Sequence, residues 1–409
     1  MPFHTHRLPN GLHVVGEVIP SARSVSVGFF VRTGSRDETP PEAGVSHFLE
    51  HMMFKGTPTR TALDVNLHFD RIGANYNAYT SEEVTAYYAA VLPEYLPTAV
   101  DILADILRPS LRDADFATEK QVILEEIKMY EDSPPSEAWD KGRRLYYGDH
   151  PLGNTILGST ASVTALTPEV MRAYFDRRYV APNVLVSVAG NFDWPAFVGL
   201  LDATCGGWAG GAAPRQHLTE TAGAGGTHSA AKETTTQEHV LLFSPGPPAE
   251  SPLRYAAATL AVAVGDDSGS RLHWELVDPG HVESASCGND QNQMSGVTVT
   301  SFSCDPAKAG DNLTTVRRLL AEVQRDGLTA EELAQAKNKI ASRVVRASER
   351  PGGRMRAIAA SWMYLSEYCD VDQELARFDA VELGTIRACL DQYPLDRPTV
   401  FGYGPLAVL

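Results

Sequence analysis

The chain reads as an α+β protein in two halves, and three observations lead there. Helical and strand patterns come in blocks, as in a sandwich of mostly antiparallel sheet with helices packed on it. Over residues 206–236 the composition shifts to Gly, Ala, Thr and Ser with no sustained apolar period, which marks an interdomain linker. Beyond it, features of the first half return in the same order: residues 328–337 (LTAEELAQAK) echo 111–120 (LRDADFATEK), and the strand pattern at 399–404 echoes 185–190. A length of 409 residues is also too great for one ordinary core. The expected organisation is therefore an N-terminal domain over 1–210, a linker region over 211–236 and a C-terminal domain of similar fold over 237–409.

In chain order, Pro9-Asn10-Gly11 reads as a turn into a strand over 12–18, and 24–33 alternates as a second strand. Gly34 and Gly44 frame a loop before a helix that carries the chemistry discussed below. Residues 63–72 have the 3.6 period of another helix, followed by strands at 75–80 and 84–91. Helices are expected over 92–107, 116–130 and 136–147, and one begins at Thr167, a good N-cap with Pro168 at the first helical position. Residues 183–189 form a strand of the fully buried type.

Within Gly44-Val-Ser-His-Phe-Leu-Glu-His-Met-Met-Phe-Lys-Gly56, His47 and His51 are four residues apart, so a helix stacks both imidazoles on one face with Glu50 at its border. One histidine among Phe48, Leu49, Met52 and Phe54 would be an ordinary core residue. Two histidines and a glutamate in this register can hold zinc and place a carboxylate where it takes a proton from an attacking water. A catalytic zinc site needs a third ligand. In the helix expected over 116–130, Val122, Ile123, Ile127 and Tyr130 form an apolar stripe, and Gln121, Glu125, Lys128 and Asp132 face solvent. Glu126 falls within the stripe, and Glu119, seven residues earlier, shares its face. A carboxylate buried without a partner is costly, and metal coordination offsets that cost. Glu126 is therefore the third ligand expected, and Glu119 a neighbour that orients a histidine or helps move protons.

The segments HFLEHMMFKGT, NAYTSEEVTAYY and EKQVILEEIKMYED resemble the pitrilysin and mitochondrial processing peptidase family of zinc endopeptidases, densely over the first two hundred residues and more loosely after that. The resemblance implies zinc on His47, His51 and Glu126, with Glu50 as general base and Glu119 beside the site. It implies two halves of one fold facing each other across a chamber. It also implies that the N-A-x-T segment, here Asn77, Ala78, Tyr79 and Thr80, receives a peptide substrate as an added strand. Phe54, at the end of the histidine helix, is a candidate for lining a side-chain pocket.

The formal charge of −16, with no basic cluster, argues against nucleic acid as a partner. The N-terminus shows no secretory signal and no apolar run approaches a membrane span. Five scattered cysteines without a C-x-x-C pair read as reduced thiols in a cytoplasmic protein. The second half has no counterpart of the metal motif: His273 and Glu275, two apart, point to different faces.

The sequence departs from the family in one respect. Single-chain members carry an arginine and a tyrosine, seven residues apart, that reach the substrate and its developing oxyanion; here Val277 and Ser284 stand at those positions. Neither can replace the pair, whose loss costs orders of magnitude in rate. Two-subunit members divide the work, so the chain is expected to be the zinc-bearing half of a heterodimer whose homologous partner supplies Arg and Tyr, with a second copy of this chain as the other candidate. The rival expectation is a non-catalytic peptide-binding or assembly subunit.

Overall fold

The computed structural model describes residues 2–216, 218 and 223–409, so residues 217 and 219–222 of the expected linker lie outside the described residues. Two compact units share the chain and interleave in it. The first comprises Met1–Lys128, Asn154–Gln216 and Arg346–Asp370, and the second Met129–Gly153, His217–Val345 and Val371–Leu409. This differs from a division at 211–236, because each unit takes one segment from the opposite half of the sequence.

The first unit is built on a six-stranded sheet of β1 (Phe3–Arg7), β2 (His13–Val18), β3 (Val25–Val31), β4 (Asn75–Thr80), β5 (Thr85–Val91) and β6 (Val184–Gly190), in the order β1-β2-β6-β3-β5-β4. Every pairing is antiparallel except β2 with β6. β3 and β6 are buried along their whole length, which their near-continuous apolar and small residues require. On one face, Val27, Phe29 and Tyr87 pack with helices α1 (Val45–Met53), α2 (Ala62–Arg71), α3 (Leu96–Ile106) and α4 (Asp113–Glu131) in a single apolar cluster. On the other, Val15, Phe30, Ala86 and Leu185 meet Met355, Ile358 and Ala359 of the helix Pro351–Leu365.

The second unit repeats this plan. Its sheet contains β7 (Thr227–Ala231), β8 (Glu238–Pro245), β9 (Ser284–Asn292), β10 (Ser295–Cys304) and β11 (Thr399–Gly404), in the order β7-β11-β8-β10-β9. Matched to β2-β6-β3-β5-β4, it places its one parallel pair, β7 with β11, where the first sheet has β2 with β6. The helix Ala330–Ser348, on the 328–337 echo, is 19 residues long, the length of α4. Val240, Leu242, Phe302 and Val400 pack on helices of the second half. The opposite face, with Phe243, Val299 and Phe401, is covered by Ala138, Tyr146 and Tyr147 of the helix Pro134–Tyr147. A Cβ at Gly142 would lie 2.7 Å from the Phe243 ring, so that close approach requires glycine.

Five strands were not foreseen: β8, β9 and β10 of the second half, for which no strand was read, and β1 and β7. β1 is a polar segment paired on one side only, and β7, inside the expected linker, is a strand because of its pairing with β11. Among the described residues no cysteine is joined in a disulfide. Among the described residues no helix is long and apolar enough to cross a membrane.

Candidate metal centre

The histidine helix is short and its start is sharply defined. Gly44 precedes it at φ +91°, where a Cβ would lie 2.6 Å from the Leu157 carbonyl oxygen, so only glycine fits. From there nine residues, Val45–Met53, run with Val45, Phe48, Leu49, Met52 and Met53 in the core, which leaves His47, Glu50 and His51 to one side. Phe48 stacks on Phe116 of α4, ring centroids 4.6 Å apart, and this contact brings the acidic helix alongside.

His47, His51 and Glu126 come together with their ligand atoms all within 4.8 Å of one another. His47 Nε2 lies 3.7 Å from Glu126 Oε1, and His51 Nε2 lies 3.5 Å from Glu126 Oε2. Glu119 meets His51 from the other side of the ring, Oε1 to Nδ1 at 2.9 Å, and its Oε2 pairs with Lys55 Nζ at 2.6 Å. On the open side, Thr80 Oγ1 of β4 donates to Glu50 Oε2 at 2.6 Å.

The electrostatics assign roles. Burial, with the neighbouring His51, drives the His47 imidazole down to about 3, so it is neutral, the form that ligates metal. Burial works against ionisation of Glu119, yet the hydrogen bonds from His51 and Lys55 outweigh it and hold this carboxylate below its ordinary range. An ionised Glu119 fixes the proton on His51 Nδ1, so Nε2, on the Glu126 side, is the atom that would ligate a metal; burial opposes the charged imidazole, and the Glu119 hydrogen bond with the surrounding carboxylates raises His51 against it. Burial, and then the Glu119 charge, push Glu126 up, with His51 opposing. Two carboxylates crowd two imidazoles here, an arrangement that a bound divalent ion would stabilise. The donor set fits zinc: two imidazoles and one carboxylate, leaving a coordination position for water or substrate.

The stripe of α4 differs from the sequence expectation. Phe116, Glu119, Ile123 and Ile127 are its buried residues, while Val122 and Tyr130 are exposed. Glu126 sits at the stripe's border, half-buried, and Glu119 is the more deeply placed carboxylate, since the helix turns its inner face toward α1. On β4, Tyr76 and Ala78 face the core, whereas Asn77 and Tyr79 project from the opposite face to Thr80 and the metal ligands. Asn77 Oδ1 accepts from the Ala78 N–H at 2.9 Å. Phe54 packs among Tyr76 and Tyr87, both at 6.3 Å, against the core. In the second unit Val277 is half-buried against the core, and Ser284 opens the edge strand β9 in solvent. Glu275 pairs with Arg318 at 2.8 Å and His273 meets Trp274 edge to face, ring centroids 4.9 Å apart.

Three residues at the site carried no assigned role in the sequence reading: Lys55, Thr80 as the partner of Glu50, and Glu38, whose carboxyl oxygens accept from Gly44 N at 2.8 Å and Ser46 N at 2.7 Å. Lys55, four residues after His51, shared its helical phase and could have been noticed; Glu38 is reached only through the fold.

The profile described as insulinase (peptidase family M16) matches residues 13–160, and that of the peptidase M16 inactive domain matches 165–340. An uncharacterized zinc protease of Streptomyces coelicolor is 35% identical over 98% of this chain and 89% of its own length. The chain belongs to peptidase family M16. Another M16 relative in that sense, an uncharacterized zinc protease of Bacillus subtilis, is 33% identical over 94% of this chain and 93% of its own. The M16 fold is also seen in a protease from Helicobacter pylori, with a TM-score of 0.93 at 21% identity and 99% coverage of both chains. A structure titled peptidase M16 inactive domain from Pseudomonas fluorescens gives 0.92 at 16% identity, covering 100% of this chain and 99% of that one.

Proposed function

We propose that this chain is a zinc-dependent endopeptidase for peptides or extended protein segments, acting as the zinc-bearing subunit of a pair. The observation that carries this reading is the convergence of His47, His51 and Glu126 within 4.8 Å, with Glu50 on the same helix. Zinc held by these three side chains would supply a Lewis acid for the scissile carbonyl and make the attacking water more acidic. Glu50 takes the proton of that water and delivers it to the departing amine. Burial raises Glu50 above the ordinary carboxylate range against the opposing Thr80 hydrogen bond, which brings the base closer to working pH. Among the described residues β4 pairs only with β5, which leaves its other edge for an added peptide strand, and Asn77 and Ala78 carry polar groups that would meet it.

Val277 and Ser284 offer neither a guanidinium nor a phenol, which supports a homologous partner contributing Arg and Tyr. The same two residues favour the second reading, a non-catalytic peptide-binding or assembly subunit. Free thiols, four of them buried, suit a reducing, cytoplasmic setting.

The test measures zinc per purified chain for wild type and Glu126→Gln, then cleavage of a quenched peptide library with and without copurifying protein. One zinc per wild-type chain, lost from the variant, with cleavage only beside a partner, is the expected result. Zinc without cleavage in any pairing selects the binding subunit, and a wild-type chain that takes up no zinc removes the metallopeptidase. Glu119→Gln keeps the shape but loses the charge that orients His51. It is expected to weaken zinc affinity about 10–100-fold in chelator competition.

A further inference from the structure

We infer that Glu38 is a positioning residue for the metal-binding helix: its carboxyl group closes the open N-terminus of α1 and thereby fixes where His47 points. This rests on the zinc reading above.

The need for such a group follows from the helix itself. α1 is only nine residues long and its N-cap is a glycine, with no side chain to satisfy the first amides. Its first internal hydrogen bond is Phe48 N to Gly44 O, at 3.1 Å, so the amides before Phe48 lack helical partners. His47 is in that first turn. A frayed turn would swing the imidazole away from His51 and Glu126, because the histidine's own ring Nδ1 has no hydrogen-bond partner among the described residues to hold it.

Glu38 supplies what the sequence omits. Its two oxygens take two separate amides, Gly44 N at 2.8 Å and Ser46 N at 2.7 Å, one residue from the ligand. The residue is only 6% exposed, so water does not compete for those donors. Its arm is stiff: the preceding Asp37 is pinned by Arg178 at 3.0 Å and Arg215 at 2.8 Å. The Ser46 side chain is tied in turn to Tyr174 Oη at 2.7 Å, which also bonds Thr33 at 2.6 Å. A carboxyl group is suited to this place, since it accepts on both oxygens, whereas an amide side chain accepts on one.

The experiment is zinc affinity by chelator competition on the full chain, together with the visible absorption of the cobalt(II)-substituted protein, for wild type, Glu38→Gln and Thr61→Ala. Thr61 is the side-chain N-cap of α2, accepting from Asp64 N, so its loss removes a helix cap away from the candidate metal ligands. Glu38→Gln is expected to bind zinc about tenfold or more weakly, with an altered cobalt spectrum. Thr61→Ala is expected to lower thermal stability while affinity and spectrum stay those of wild type. Equal affinity and spectrum for Glu38→Gln and wild type would overturn the inference, as would the same loss in Thr61→Ala. If Glu38→Gln does not fold, Glu38→Asp keeps the carboxyl on a shorter arm; its weaker binding supports the assignment, and parity with wild type overturns it. A wild-type chain that binds no metal is a different failure, that of the zinc reading itself.

Discussion

Glu50→Gln is expected to lower kcat/KM for peptide cleavage by about 10²–10⁴ while leaving zinc stoichiometry at its wild-type value. The glutamine keeps the length of the side chain and an oxygen for the 2.6 Å hydrogen bond from Thr80, so the helix and the three ligands are undisturbed. What it loses is the ability to accept a proton from water and release it to the amine. Removing that transfer alone corresponds to about 3–5 kcal/mol of transition-state stabilisation. The measurement is steady-state cleavage in the preparation that supports activity, paired with metal analysis of the same sample. Full activity in the variant would dismiss Glu50 as the base; a simultaneous loss of zinc would show that it serves the metal instead.

The second large effect concerns stability. Arg354, from the helix Pro351–Leu365, reaches Glu17 on β2 with Nε 3.1 Å from Oε2 and one terminal nitrogen 2.5 Å from the same oxygen. Tyr368 adds a hydrogen bond to Glu17 at 2.9 Å. Glu17 is 0% exposed and Arg354 4%. Arg354→Met retains length and apolar bulk but strands a buried carboxylate, and the expected loss is about 3–5 kcal/mol in denaturant unfolding. Glu17→Leu in the same chain is expected to return most of it, because a buried ion pair and an apolar pair of similar volume are close in free energy. A single variant as stable as wild type would mean that the pair contributes little to holding this helix on the sheet.

The residues of the candidate metal site could be picked out because their relation is local. His47, Glu50 and His51 lie within two helical turns, and Glu119 and Glu126 within another two, so helical phase alone brings each set to one face. Even there phase was coarse: Val122 looked like core and is exposed, because the inner face of α4 is decided by its contact with Phe48 of α1. β3 and β6 were readable as strands since both faces of each are buried. The helix Pro351–Leu365 was not assigned: it opens on Pro351, Gly352 and Gly353, and its apolar residues find their partners on strands of the first half. Glu38 was unreadable for a similar reason. An acidic residue before a glycine is an ordinary loop residue until the chain folds it back onto the first turn of α1.

The exchange of helices between the two units has a consequence for how the chain is made. By residue 210 the ribosome has synthesised all six strands of the first sheet but not the helix that covers Val15, Phe30, Ala86 and Leu185. For the next hundred and more residues of synthesis that face stays bare, and the helix Pro134–Tyr147 likewise waits for β8 and β11. The first unit is complete only at Asp370 and the second only with β11, so for much of synthesis the nascent chain carries two uncovered sheet faces at once, the kind of exposed apolar surface that favours aggregation.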